Sequence, residues 1–138
     1  MKTIYKEIKR AFQSETSQSE TSLPENNKNF VFKIDKDFAA FRGHFPQQPM
    51  LPGIVQMEIA LFCIKKLLND ETLNISKAIK VKFTKPILPE TKITVFIEMK
   101  NEVFKVVIKD DKEIYSQMQL KVSSLKGKLP AESVEEKK

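Results

Sequence analysis

His44 is the only histidine of the chain, and it stands in the run Phe41-Arg42-Gly43-His44-Phe45-Pro46. Glu58 follows fourteen residues later, between Met57 and Ile59-Ala60, in a stretch that is otherwise mostly apolar. A carboxylate among apolar residues is costly to bury unless it has a partner or a task. An imidazole titrates near neutrality and suits removal of a proton next to a carbonyl. A carboxylic acid in an apolar setting can stay protonated and hand its proton to a leaving hydroxyl. Together these two groups fit β-elimination of water from a hydroxyacyl thioester, a reaction that also needs donors for the charge moving onto the thioester oxygen. Pro52-Gly53 would supply them. The start of a helix presents free N–H groups and the positive end of its dipole, and Gly53 has no side chain to block a close approach. A plainer reading stands beside each residue. A lone histidine in an aromatic loop more often packs than reacts, and Glu58 could pair with a lysine or arginine of a neighbouring strand.

The elements that would position these groups follow from hydrophobic patterning. From Ile54 to Leu68 there is no proline or glycine, and eleven of fifteen residues are apolar. They fall on every side of a helical wheel, so the spacing predicts a helix buried all round. Pro52 suits its first turn, where a missing N–H costs nothing, and Lys65, Lys66, Asn69 and Asp70 mark its exit to water. Phe30–Ile34 alternates as a strand does, and so do Ile75–Phe83, Ile93–Met99, Val103–Ile108 and Ile114–Val122. In the first of these four, Ile75, Ile79, Val81 and Phe83 form the repeating side. Asn101-Glu102 and Asp110-Asp111-Lys112 are the expected turns. Residues 1–12 suit a short helix or a strand. QSETS occurs twice, at 13–17 and 18–22, in polar sequence that reads as the end of a strand running into a loop over about 13–28, and a frayed tail is expected over about 124–138. One long buried central helix wrapped by a curved antiparallel sheet accommodates this order. The expectation is therefore an α+β hot-dog fold, a single domain over residues 1–138.

Composition narrows the function classes. The apolar share of 41% and charged share of 30% are those of an ordinary globular chain. No apolar run approaches the 18 residues or so of a membrane span, and MKTIYKEIKR lacks the apolar centre of a signal peptide. Cys63 is alone, so an intramolecular disulfide is excluded and the cytoplasm is the expected compartment. A net charge of +6 favours acidic partners. No basic run with interleaved aromatics appears, so nucleic acid is not expected as a partner.

The segment from Phe41 to Glu58 resembles the active-site signature of the β-hydroxyacyl-acyl-carrier-protein dehydratases, G-H-F-P-x-x-P-x-x-P-G-x-x-x-x-E, at every fixed position. Lys82-Phe83-Thr84-Lys85-Pro86-Ile87-Leu88-Pro89 resembles that family's second stretch, an aromatic strand end followed by P-x-x-P. The resemblance implies a hot-dog dimer in which His44 of one subunit faces Glu58 of the partner subunit across an acyl tunnel. The Gly53 N–H would hold the thioester oxygen. Phe41, Phe45, Met50 and Leu51 would line the tunnel, form the dimer contact or belong to the core. It implies no metal and no cofactor. The implied partner is acyl carrier protein, and the implied assembly is a homodimer or higher homo-oligomer, or a heterodimer with a related hot-dog subunit. The implied reaction turns a (3R)-hydroxyacyl thioester into the trans-2-enoyl thioester. A hot-dog thioesterase and a non-catalytic acyl-binding or partner subunit are the competing readings. The chain departs from the family where Ile59 and Phe62 replace a small residue and a glutamine after the acid, and where Glu90 replaces a glycine. Gln56 is similar to the short accessory dehydratases of polyene or secondary lipid pathways.

Overall fold

Eight elements make up the computed structural model, which describes residues 2–17, 27–38, 41 and 50–125. In chain order they are α1 (Lys2–Ala11), β1 (Phe12–Ser17), β2 (Asn27–Ile34), α2 (Gly53–Leu68), β3 (Asn74–Phe83), β4 (Thr91–Lys100), β5 (Val103–Lys109) and β6 (Ile114–Ser123). The six strands form one sheet in the order β1-β2-β4-β5-β6-β3, and each neighbouring pair is antiparallel. Alternation along β2, β4 and β5 sends Phe30, Phe32, Ile34, Ile93, Val95, Ile97, Phe104, Val106 and Ile108 to one buried face. Ile59, Ala60, Phe62, Cys63 and Ile64 of α2 are buried in the same core. A side chain of this size gains roughly 1.5–3 kcal/mol on leaving water, so the helix and sheet face hold each other in place.

Among the described residues two helices, not one, cover the sheet. α2 is a helix of 16 residues, about 24 Å long at the usual rise. It is joined by α1, which buries Ile8 and Ala11 and packs Ile4 and Tyr5 against the core. α2 is also less enclosed than its composition predicts. Ile54 is 56% exposed, and Met57 and Glu58 are half-buried, so one side of its first turns is open. The helix ends at Asn69 in the left-handed conformation (φ 53°, ψ 48°).

Two of the family's unusual positions have clear structural tasks. Phe62 sits among Tyr5, Phe12 and Phe32, with ring centroids 5.6–5.8 Å away, and so joins α1 and β1 to α2. Glu90 takes φ 69°, the conformation that glycine adopts without strain. Its N–H donates to the Ile34 carbonyl at 2.6 Å, and its carboxylate accepts from the Lys36 N–H at 2.8 Å.

The polar stretch expected as a strand end and a loop begins and finishes in strand. Residues 13–17 belong to β1, an edge strand held by backbone pairing to β2, and residues 27 and 28 open β2. β3 departs from strict alternation. Register shifts between Ile75 and Lys77 and between Ala78 and Lys80 leave Ile75, Ala78 and Val81 opposite Val122, Leu120 and Met118. Each extra residue turns the following side chains over, so Ile79 faces water at 42% exposure. The expected turn at Asn101-Glu102 is present, with both residues at positive φ. At the second turn the Asp110 carboxylate accepts from the N–H groups of Lys112 and Glu113, both at 2.8 Å.

Candidate active site

The candidate site is built at the start of α2. Pro52 occupies the N-cap with extended backbone (φ −62°, ψ 149°), one residue before the first turn where it was expected. Its carbonyl accepts from the N–H groups of Val55 and Gln56, both at 3.1 Å. The N–H groups of Gly53 and Ile54 precede this first hydrogen bond, so the helix itself gives them no acceptor. They sit at the positive end of the helix dipole and can stabilise an oxygen that gains negative charge.

A cleft of about 430 Å³ lies against these donors. Met50, Leu51, Pro52, Gly53 and Gln56 line one side, and Phe83, Thr84, Lys85 and Pro86 line the other. The Leu51 N–H donates to the Ile87 carbonyl at 2.8 Å, tying the Met50–Pro52 loop to the Pro86–Pro89 stretch. The N–H groups of Thr84 and Lys85 donate to the Tyr115 carbonyl at 2.9 and 3.2 Å, which fixes the opposite wall. The Phe83 ring covers Gly53 so closely that a Cβ there would sit 2.6 Å from a ring carbon. Any side chain here would displace that ring, so glycine keeps the ring in its seat and the approach to the donors open. Depressions of about 580 and 720 Å³ occur elsewhere, among Lys80, Lys105 and Gln119 and among Gln13, Thr94 and Asp110. Neither contains a residue of the Gly43–Glu58 segment.

The residues singled out in the sequence fall into three groups. His44 and Phe45 lie outside the described residues. Met50, Leu51 and Gly53 come together in the cleft. Phe41 is packed in the core, edge-on to Phe38 at 6.2 Å, and is not part of the cleft lining. Glu58 is half-buried and has no hydrogen-bond or ion-pair partner among the described residues. At about 100° per residue, Gly53 and Gln56 lie about 60° apart around α2, whereas Glu58 lies about 160° from Gln56. The helix therefore directs Glu58 away from the cleft that Gly53 and Gln56 line.

Gln56 and Phe83 were not recognised as site residues from sequence. Gln56 is 3% exposed and donates through Nε2 to the Leu51 carbonyl at 3.2 Å. Its signal was present: a polar amide in an apolar helix, three residues after the glycine.

Electrostatics stiffen the outer wall. The Tyr115 hydroxyl donates a short hydrogen bond to Asp110. Burial, reinforced by that bond, pushes the Tyr115 pKa up to about 12. The Tyr115 hydrogen bond, followed by the N–H groups of Lys112 and Glu113, holds Asp110 below the usual carboxylate value. Burial raises the Cys63 thiol well above its ordinary value, which disfavours the reactive thiolate. No group of three or more His, Cys, Asp or Glu residues suited to a metal ion occurs among the described residues. No helix among them is long and apolar enough to cross a membrane.

Comparison with known proteins agrees with this architecture. The structure is similar to the dehydratase heterocomplex ApeI:P from Xenorhabdus doucetiae, with a TM-score of 0.66 and 23% identity over 80% of this chain and 98% of that one. An uncharacterised protein from Erwinia carotovora subsp. atroseptica is similar at a TM-score of 0.65 and 19% identity, over 85% of this chain and 98% of its own. At these identities the likeness speaks for the fold, a six-stranded antiparallel sheet with two helices, as in the hot-dog dehydratase structures. In sequence, the chain is 33% identical over 69 residues to the 3-hydroxyacyl-[acyl-carrier-protein] dehydratase FabZ of Histophilus somni, in strains 2336 and 129Pt. That alignment takes in 45% of this chain and 46% of the relative, so the chain spans just under half the length of the curated relatives it matches. Residues 18–119 match the family described as ApeI-like, ApeI dehydratase. With that match extending over well more than half of its length, the chain belongs to the ApeI-like dehydratase family, among the β-hydroxyacyl-acyl-carrier-protein dehydratases.

Proposed function

We propose that the protein removes water from a (3R)-hydroxyacyl thioester on acyl carrier protein, giving the trans-2-enoyl thioester, at sites shared between two chains. The observation that carries this reading is the placement of functional positions around α2. Gly53 lines the cleft, whereas Glu58 projects from the far side of the same helix, half-buried and unpaired among the described residues. One chain alone does not bring both to one substrate. A second copy supplies Glu58, and each copy lends its own Glu58 in return. β3 is the natural seam: a ten-residue edge strand with Ile79 and Phe83 exposed, close to the open first turn of α2 with Ile54. In this arrangement His44 takes the proton next to the thioester carbonyl. The Gly53 N–H stabilises the enolate oxygen, and Glu58 of the partner subunit gives its proton to the departing hydroxyl, which leaves as water. The net charge of +6 supports encounter with an acidic carrier protein.

The test uses hydration of a crotonyl thioester, the reverse reaction. His44→Ala and Glu58→Gln should each lower turnover by roughly 10²–10⁴-fold, the range for one acid or base, with the protein still folded. Mixing the two variants through a dissociation and reassociation cycle should restore about a quarter of wild-type activity, because half the dimers are mixed and each holds one intact site. Unchanged turnover in either variant removes that residue's role, and a mixture that stays inactive removes the shared site. Release of free thiol from the substrate would instead identify a thioesterase.

A further inference from the structure

We infer that Gln56 recognises the β-hydroxyl of the substrate, accepting its hydrogen bond through Oε1; this rests on the dehydratase reading of the same cleft. Among the described residues, three buried side-chain atoms lack a hydrogen-bond partner: Asn29 Oδ1, Gln56 Oε1 and Ser116 Oγ. Only Gln56 of these lines the cleft beside Gly53. Its side chain is held at one end, since Nε2 donates to the Leu51 carbonyl at 3.2 Å, so Oε1 is a fixed and vacant acceptor. A buried carbonyl without a donor carries a desolvation cost, which a bound ligand with an N–H or O–H group in the right place would remove.

The chemistry of the substrate selects the donor. A thioester oxygen held by the Gly53 N–H is an acceptor, and the acyl chain beyond it is hydrocarbon except for one group. That group is the hydroxyl two carbons from the thioester carbonyl. Gln56 stands on the same side of α2 as Gly53, one turn or about 4.5 Å further along the axis. An acyl chain anchored at Gly53 and running along α2 brings its β-oxygen to Gln56. Accepting the hydroxyl proton leaves the oxygen's lone pairs turned away from Oε1, toward the acid that must protonate it. As the C–O bond breaks and the acid's proton arrives, the new water still donates to Oε1. An acceptor fixed on one side of the cleft also distinguishes the two hands of the β-carbon.

Calorimetric binding of unreactive amide analogues, in which NH replaces the thioester sulfur, tests this directly. The probes are the (3R)-3-hydroxybutyryl, (3S)-3-hydroxybutyryl and butyryl amides of N-acetylethylenediamine. The wild type should prefer the (3R)-hydroxy compound over butyryl. In Gln56→Met, which keeps the length of the side chain but not its acceptor, that preference should fall by roughly three- to tenfold, the worth of one neutral hydrogen bond. Any fall in butyryl binding, from loss of the Nε2 tie to Leu51, should be smaller than the fall for the (3R)-hydroxy compound. Gln56→Glu keeps an acceptor oxygen and should keep the preference. An undiminished preference in the Met variant overturns the assignment, as does its loss in the Glu variant. An equal loss for hydroxybutyryl and butyryl also overturns it, since Gln56 would then hold the carrier arm's amide or merely shape the cleft. Binding is read without turnover, so crotonyl hydration by the wild type separately decides the dehydratase reading.

Discussion

Replacing Gly53 by alanine sets a small structural effect against a large chemical one. The added Cβ would meet the Phe83 ring at 2.6 and 2.7 Å, where ordinary contact begins near 3.4 Å. Phe83 is 48% exposed, so the ring can swing outward. Burying a whole phenylalanine is worth roughly 1.5–3 kcal/mol, so displacing a half-buried one costs about 1 kcal/mol. Alanine returns up to about 1 kcal/mol through its better helix propensity. The two nearly cancel, and the thermal midpoint should move by no more than about 4 °C for a domain of this size. Activity should respond differently. A methyl group beside the Gly53 N–H and a displaced ring on the cleft wall together deny the thioester oxygen its donor. Loss of one such donor typically costs 10²–10³-fold in turnover. The assay is disappearance of enoyl-thioester absorbance, with thermal unfolding followed on the same sample. Turnover within threefold of wild type would refute the role of Gly53 as the bare approach to the oxyanion donors. A drop in midpoint of ten degrees or more would refute the free retreat of the Phe83 ring and point to a neighbouring chain that clamps it.

Two further outcomes are expected. Because the Asp110 carboxyl is held below its ordinary value of 3.8, its contribution to stability is present above that pH and is lost as acid carries the pH down through the lowered value. For Tyr115 the sign is opposite: its neutral form is favoured, and its contribution is complete below pH 10 and lost as pH rises through about 12. Thermal midpoints across pH should show both limbs in the wild type. Asp110→Asn should flatten the acid limb, and an identical acid limb would show that the pair does not brace the turn. On β3, Ile79→Lys places a charge on an exposed position and should leave the single chain folded while shifting the proposed dimer to monomer in sedimentation, with activity lost in step. A variant that stays dimeric and active would remove this edge as the seam.

The pattern of alternation made most of the sheet legible, because β2, β4 and β5 each have one buried face and any slip would expose it. β3 was misread on the same logic. Its bulges at Ser76 and Ile79 cannot be seen in a list of apolar positions, and they turn Ile79 outward. The first edge was read only as a strand end running into a loop: the Gln13–Ser17 stretch has nothing to bury, and what holds it is backbone pairing with the next strand, β2. At the site, the spacing from Pro52 to Glu58 identified the helix start and the glycine. It did not reveal that Phe83 rests on that glycine, because the contact joins residues thirty positions apart. Gln56 was visible as a polar residue in an apolar helix. Its bare acceptor became apparent only when its other end was seen bound to Leu51.

The ring cluster that joins Phe62 to Tyr5, Phe12 and Phe32 bears on how the chain acquires its shape during synthesis. α1 emerges from the ribosome before α2, but a ten-residue helix is too short to persist in water unaided. The surface that stabilises it, the flank of α2 around Phe62, is translated some fifty residues later. The α1 segment must therefore wait, largely unstructured, and close over the aromatic rings only after α2 exists. Docking of α1 is then a late step of maturation, one that covers this side of the core.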